Sequence, residues 1–145
     1  KRGTTVLDLG AGGGFPSVPL AIVMPEVHFL AVDSIQKKLK VIDAVIHDLN
    51  IQNLKTSWGR VESIPNRFDF VVSRAVAPLS ELIYWTRGKY HPISFNKIDN
   101  GLITLKGGDL KDEIKETKRK TIIKPISSYF EEEYFDTKFV TYTKL

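Results

Sequence analysis

Short apolar segments alternate with amphipathic ones along most of the chain. Apolar and β-branched residues run together in five places, which predicts buried strands at residues 4–7, 28–33, 54–58, 68–74 and 101–106. In the segment after the second strand the apolar residues recur with helical spacing, as Ile35, Leu39, Ile42, Ile46 and Leu49. We expect Ser34 to cap this helix. Strands that alternate with helices predict a parallel sheet covered on both faces.

Proline marks the start of two more helices, because its fixed backbone angle suits the first helical turn. Pro16 opens an apolar stretch that runs to Ile22, and Pro78 precedes another helix. In the second of these helices we expect three residues to face inward, Leu79, Leu82 and Ile83. The remaining predicted elements are a charged helix at residues 110–117 and two closing strands at residues 121–126 and 139–143.

The first predicted strand runs into a glycine-rich loop, DLGAGGG at residues 8–14. A strand, a glycine loop and a helix in this order are typical of a nucleotide site, because glycines let a ligand lie against the backbone near helix N–H groups. No Lys follows the glycines as in a phosphate loop, and the third glycine of the dinucleotide pattern falls on Phe15. Asp8 at the strand end suits a cationic ligand such as S-adenosylmethionine. A tight structural turn is the alternative.

A second acid, Asp33, ends the second predicted strand. It follows Gly14 by 33 − 14 = 19 residues, close to the ~20 residues at which an acid meets a ribose hydroxyl in nucleotide-binding units. We interpret Asp33 as a ribose acceptor, with a helix cap or a solvated acid as the alternative. Ligands of parallel sheets bind beyond the carboxyl ends of the strands. Those ends carry Asp8, Asp33, residues 59–62, Arg74 and Lys106.

Composition limits the class of protein and its compartment. The 145 residues suit one domain, and the absence of Cys excludes disulfides, thiolate metal sites and a Cys nucleophile. The net charge of +4 favours a polyanionic partner, with a surface that serves solubility as the alternative. No apolar run approaches the ~18 residues that a membrane span requires. We therefore expect a cytoplasmic protein without a metal site or membrane attachment.

Several segments together resemble one family. They are DLGAGGGFP at residues 8–16, DS at 33–34, RVE at 60–62, SRA at 73–75, LKG at 105–107 and VTYTK at 140–144. In their order and spacing they resemble the glucose-inhibited division protein B family, the RsmG-type methyltransferases. The resemblance implies a class I S-adenosylmethionine-dependent methyltransferase fold, an α/β, Rossmann-like, doubly wound and mostly parallel seven-stranded sheet. It also implies methyl transfer to N7 of a guanine in the 530 loop of 16S ribosomal RNA, on the small ribosomal subunit.

The same resemblance assigns cofactor contacts to the loop residues Gly10 and Phe15, to Val61 and Glu62 on the adenine side, and to Arg74. Two acids, Asp8 and Asp33, and the loop residue Gly12 are added to these positions. The predicted S-adenosylmethionine site is therefore Asp8, Gly10, Gly12, Phe15, Asp33, Val61, Glu62 and Arg74. Two departures from the family are visible. Gly13 stands where relatives often have proline, and the helical N-terminal segment typical of the family is missing. We expect residues 1–145 to form the methyltransferase domain, and the protein to be a monomer.

Guanine N7 carries a lone pair and no proton, so no general base is assigned. The candidates for catalysis are Arg60 and Arg74, which would position the substrate because Arg can pair in a bidentate way with guanine or phosphate. For Arg74 a clamp on the cofactor carboxylate or a structural ion pair is the alternative. Lys106 is expected either to contact phosphate or to cap a strand end.

Other reactions leave different signatures in the sequence. Amine methylation normally uses oxygen acceptors after the fourth strand, where this chain has SRAV at residues 73–76, and pyrimidine C5 methylation needs a Cys nucleophile. Three alternatives remain open: a ribose 2′-O RNA methyltransferase, a nicotinamide-binding oxidoreductase domain and a non-catalytic RNA-binding module.

Overall fold

The computed structural model describes residues 1–74 and 76–145, so Ala75 of the SRA segment lies outside the described residues. A sheet of seven strands is formed by β1 (Thr5–Leu9), β2 (His28–Asp33), β3 (Leu54–Trp58), β4 (Phe70–Arg74), β5 (Gly101–Gly107), β6 (Thr121–Pro125) and β7 (Lys138–Lys144). The α-helices are α1 (Ser17–Val23), α2 (Gln36–Asp48), α3 (Leu79–Trp85) and α4 (Lys111–Thr117). Within the described ranges, no helix is both long enough and apolar enough to cross a membrane.

The strand order is β3-β2-β1-β4-β5-β7-β6. All neighbouring strands from β3 to β5 run parallel, whereas β7 runs antiparallel to both β5 and β6. The chain winds from β1 outward through β2 and β3, then returns to the other side of β1 with β4. β1 and β4 therefore flank the topological switch point, where open α/β sheets bind ligands. The predicted doubly wound, mostly parallel seven-stranded sheet is confirmed.

Two apolar clusters lie on opposite faces of the sheet, because successive side chains of a strand point to opposite faces. Val6 packs with Leu39 and Ile42 of α2 on one face, which α1 also covers. Leu7 packs with Leu79 and Leu82 of α3 on the other face. The result is a sheet with a helical layer on each side.

Strand boundaries differ from the predicted ones mainly where pairing continues past the apolar run. β1 extends to Leu9, since Asp8 pairs with Ala31 of β2 and Val72 of β4. β4 begins later than predicted, at Phe70. Just before it, the carboxylate of Asp69 accepts hydrogen bonds from the amide and the hydroxyl of Thr5, at 2.8 and 3.1 Å. β2 and β3 have the predicted bounds.

The prediction that Ser34 caps α2 is wrong. The residue before the helix is Ile35, and its side chain forms no capping hydrogen bond. The Asp33 carboxylate instead accepts a hydrogen bond from the amide of Ile35, the residue before the helix, at 2.9 Å. Ile35 and Leu49 lie outside the helix and are exposed, whereas the central residues of the predicted stripe, Leu39 and Ile42, are buried.

Candidate functional site

A cleft of about 780 Å³ opens at the carboxyl ends of β1, β2 and β4, next to the topological switch point. Seven of the predicted site residues line it: Gly10, Gly12, Asp33, Arg60, Val61, Glu62 and Arg74. Asp8 and Phe15 are not among the described residues that line it. The structure thus brings together residues that are up to 64 positions apart in sequence, 74 − 10 = 64. This convergence was expected, because the carboxyl ends of parallel strands lie at one edge of the sheet.

The end of β2 holds the glycine loop in place. The Val32 carbonyl accepts hydrogen bonds from the amides of Gly10 and Ala11, at 2.9 and 3.1 Å. One carboxylate oxygen of Asp33 accepts from the Gly12 amide at 2.9 Å, and the other accepts from Ile35. Each carboxylate oxygen has a further lone pair. Asp33 therefore fastens the loop and can still accept a hydrogen bond from a ligand hydroxyl in the cleft.

Gly10 leaves a strip of bare backbone on the cleft wall. Its φ of +70° lies in the left-handed region, which disfavours residues with a side chain. A Cβ placed there would lie 2.5 Å from Cγ2 of Val76, which lines the same cleft. Glycine is therefore required both by the backbone angle and by the approach of Val76.

Asp8 lies beneath the loop and is fully buried, with 0 % of its surface exposed. Its Oδ2 accepts a hydrogen bond from the Ser17 amide at 3.0 Å, but its Oδ1 has no partner among the described residues. Burial raises the pKa of Asp8 from 3.8 to about 6, although the hydrogen bonds from Ser17 and the positive charge of Arg74 lower it and the charge of Asp33 raises it further. Asp8 thus supplies a carboxylate behind the cleft wall, and its predicted part in cofactor binding stays a prediction.

Arg74 ends β4 at the rim of the cleft, with an exposed side chain. Its guanidinium carbon lies 5.6 Å from the centroid of the Phe15 ring, within the range of a cation–π contact. Phe15 is 54 % exposed and follows the glycine loop. The ion pairs formed by the described residues do not include Arg74, so no carboxylate of these residues is paired with its guanidinium.

A short 3-10 helix, Val61–Ser63, forms the rim on the side of β3. Val61 is buried in the α3-side cluster, whereas Arg60 and Glu62 are exposed and line the cleft. The Ser63 hydroxyl donates to the Arg60 carbonyl at 2.7 Å, and the Lys89 ammonium donates to the Glu62 carbonyl at 3.1 Å. These bonds fix the backbone that presents Arg60 and Glu62.

Two roles were open for Lys106, a phosphate contact or a cap on a strand end. Its ammonium forms an ion pair with Glu113 at 2.5 Å and donates to the Ala77 carbonyl at 2.5 Å. Its side chain is only 11 % exposed. The ammonium of Lys106 is therefore paired inside the protein, which favours a structural role over a phosphate contact.

Sequence reasoning missed several residues that line the cleft, among them Ile35, Val76 and Trp85. A signal existed for Trp85, because it lies three residues after Leu82 and so shares the inward face of α3. No such signal existed for Val76, whose position depends on how the chain leaves β4.

A second groove, of about 890 Å³, lies at the opposite edge of the sheet. Its lining includes Asp99 and Asn100, which precede β5, and Lys144 at the end of β7. None of the predicted site residues is among the described residues that line it. The carboxyl-edge cleft is therefore the candidate site.

A mostly parallel sheet with an antiparallel β7, a glycine loop at the switch point and an acid ending β2 define the fold of class I S-adenosylmethionine-dependent methyltransferases. A SAM-dependent methyltransferase from Aquifex aeolicus has this fold, with a TM-score of 0.70 and 15 % identity over 99 % of this chain and 82 % of that one. An rRNA methylase from Streptococcus thermophilus superposes with a TM-score of 0.66 and 16 % identity, over 100 % of this chain and 89 % of that one.

Within that class, the chain belongs to the GidB family, described as rRNA small subunit methyltransferase G, which matches residues 1–136. The protein named Ribosomal RNA small subunit methyltransferase G from Porphyromonas gingivalis is 51 % identical over 146 residues, 100 % of this chain and 66 % of the relative. Its namesake from Bacteroides thetaiotaomicron is 48 % identical over 145 residues, 100 % of this chain and 70 % of the relative. The chain thus spans about two thirds of the length of these relatives. The resemblance found in the sequence is confirmed, and it favours a methyltransferase over the nicotinamide alternative.

Proposed function

We propose that residues 1–145 form the methyltransferase domain of an enzyme that methylates N7 of a guanine in the 530 loop of 16S ribosomal RNA, with S-adenosylmethionine as methyl donor. The observation that carries the proposal is the cleft at the switch point, where Gly10, Gly12 and Asp33 converge in a chain of this family. The names of the relatives support ribosomal RNA of the small subunit as the substrate.

The chemistry of the cleft fits this cofactor. Gly10 offers bare backbone against which a nucleoside can lie, and Asp33 offers lone pairs for ribose hydroxyls. Val61 and Glu62 line the cleft, and we assign them to the adenine of the cofactor. The buried Asp8 carboxylate, with an oxygen that lacks a partner among the described residues, gives this edge a negative charge that suits a cation. When bound, S-adenosylmethionine supplies a methyl group on a positively charged sulfur.

The task of the protein in this reaction is to position the base, because guanine N7 has a free lone pair and no proton to remove. Arg60 and Arg74 lie on the two sides of the cleft mouth with exposed guanidinium groups. Arg pairs in a bidentate way with N7 and O6 of guanine or with phosphate. Since N7 itself must stay free to react, we assign these residues to O6 and to neighbouring phosphates. Positioning alone can contribute up to about 7–11 kcal/mol in favourable reactions.

We place the enzyme in the cytoplasm, as a monomer without membrane attachment, acting on the small ribosomal subunit. The absence of Cys suits a reducing compartment, and the net charge of +4 suits association with RNA.

The experiment that tests this function uses the chain with methyl-labelled S-adenosylmethionine and 16S ribosomal RNA, naked or in small subunits. Digestion to nucleosides and mass spectrometry then identify the product. We expect 7-methylguanosine at one position. A ribose-methylated nucleoside would instead establish the 2′-O alternative, and binding of S-adenosylhomocysteine without any transfer would contradict the assignment of the activity to these residues.

A further inference from the structure

Three elements meet at one carboxylate outside the cleft. Oε1 of Glu113, in α4, accepts a hydrogen bond from the Leu79 amide at the start of α3, at 2.7 Å. The same oxygen is 2.5 Å from the ammonium of Lys106 in β5. Lys106 in turn donates to the Ala77 carbonyl. The side chains of Lys106 and Glu113 are 11 % and 22 % exposed, so this ion pair is largely shielded from water.

These bonds hold the segment that leads from β4 into α3. The first amides of a helix have no partner within it, and Pro78 has no side-chain acceptor, so Glu113 satisfies the Leu79 amide from outside. Its negative charge also suits the positive end of the helix. Lys106 donates a hydrogen bond to the carbonyl of Ala77. The segment is therefore fastened at a carbonyl and at an amide two residues apart.

The fastened segment is also part of the cleft. Val76 directly precedes Ala77, lines the cleft and lies against Gly10. Arg74 stands at the other end of the same short connection, on the cleft rim. Glu113 itself is not among the described residues that line the cleft. Any effect of Glu113 on the site must therefore pass through Lys106 and Leu79.

We propose that Glu113 is a positioning residue for methyl transfer: through Lys106 and the Leu79 amide it fixes the cleft wall at Val76 and the place of Arg74. The inference rests on the proposed function and extends it to a residue outside the cleft. Lys106 needs Glu113 because an ammonium so far removed from water is costly without a counter-charge. When Glu113 is removed, Lys106 turns toward water and releases Ala77, and the wall shifts.

The test compares Glu113→Ala with Glu113→Gln, which keeps an oxygen able to accept from Leu79 and Lys106. Glu116→Ala, at an exposed position of the same helix, is the charge-matched control. Ile114→Ala is the stability control, because Ile114 packs against the apolar cluster under α3. Three quantities are measured well below the melting temperature: amide exchange of Leu79, affinity for S-adenosylhomocysteine, and kcat and KM for RNA.

We expect Glu113→Ala to speed exchange of the Leu79 amide and to lower kcat about 10²-fold, the loss typical of a small misplacement of reacting groups. Affinity for S-adenosylhomocysteine changes little, because Gly12 and Asp33 are untouched. Glu113→Gln keeps an acceptor for the Leu79 amide but no counter-charge for Lys106, so exchange at Leu79 stays slow and only part of kcat is regained. Ile114→Ala lowers the melting temperature without lowering kcat, and Glu116→Ala changes neither.

Two results overturn the inference. One is wild-type exchange at Leu79 in Glu113→Ala. The other is a kcat that falls in Ile114→Ala as much as in Glu113→Ala, because this would show that Glu113 affects kcat only through the stability of the fold. If the wild-type chain makes no 7-methylguanosine, the proposed function fails, whereas the exchange data still decide whether Glu113 fixes the segment.

Discussion

Asp8 shows how a single residue connects folding with function. The carboxylate is buried inside β1, and burial in a medium of low polarity disfavours its charged form. Its pKa of about 6, against 3.8 for an unfolded chain, means that the folded state holds the proton more tightly. Above pH 6 the charged carboxylate lowers the free energy of unfolding by about 3 kcal/mol, and below pH 4 this cost disappears. The chain keeps a costly negative charge directly beneath the proposed cofactor loop.

Asp8→Asn removes that charge and keeps an oxygen that can accept from Ser17. The difference in unfolding free energy between the variant and the wild type should favour the variant at pH 7, by up to about 3 kcal/mol, and shrink as the pH falls from 6 to 4. Urea denaturation across this range measures it. Affinity for S-adenosylmethionine should fall more than affinity for S-adenosylhomocysteine, which lacks the sulfonium charge. A difference in stability that does not change with pH would show that Asp8 has the same pKa in the folded and the unfolded protein.

Arg74→Ala should lower methyl transfer to small-subunit RNA by about 10²-fold or more while the fold persists, because the guanidinium on the rim is proposed to hold the base or its phosphate. The matched control is Arg67→Ala, an exposed arginine that precedes β4 and so lies at the opposite edge of the sheet. Transfer rates and circular dichroism are measured for both variants. Equal rates for Arg74→Ala and the wild type would remove Arg74 from the site.

At the scale of elements, the glycine loop depends on the strand beside it. Gly10 is held by Val32, and Gly12 is held by Asp33, both at the end of β2. The loop therefore takes its shape from β2 as much as from its own glycines. The residues that bind the nucleoside in this account are already fixed by hydrogen bonds within the protein.

Two glycine substitutions separate the ligand-facing part of the loop from the rest. Gly10→Ala forces a left-handed backbone angle on a residue with a side chain and drives its Cβ into Val76, so affinity for S-adenosylhomocysteine should fall at least 10-fold. Gly13→Ala serves as the control, because Gly13 has no left-handed angle and nothing lies within 4 Å of its Cβ position. The Gly13→Ala variant should bind S-adenosylhomocysteine with wild-type affinity, and its free energy of unfolding should equal or exceed that of the wild type. Calorimetry reports both affinities, and a Gly10→Ala variant that binds as tightly as the wild type contradicts the proposed contact.

The sequence was sufficient to predict the bounds of strands whose apolar run ends at a polar residue or just before a glycine. β2 ends at Asp33 and β3 at Trp58, as predicted. Prediction failed at the start of α2, where a cap by Ser34 was expected and the structure has Ile35 before the helix without a side-chain cap. The sequence also could not decide between the two roles of Lys106, because its partner Glu113 is brought near only when α4 packs beside α3.

For the whole molecule, the parallel sheet explains why so much of the site could be predicted. The carboxyl ends of parallel strands meet at one edge, so residues far apart in sequence converge there once the topology is known. Seven of the predicted positions line the cleft for this reason. The burial of each site residue could not be predicted, because the order of apolar and polar residues does not show that Asp8 lies beneath the loop whereas Gly10 lies on the cleft surface.

A crystal structure of this chain with S-adenosylhomocysteine bound tests the central claim most directly. The account predicts the ribose hydroxyls on the carboxylate of Asp33, the adenine beside Val61 and the backbone of Gly10 against the nucleoside. The sulfur should then point toward the rim that carries Arg74. A ligand bound in the groove at the opposite edge of the sheet, or in the cleft without contact to Asp33, would contradict the account.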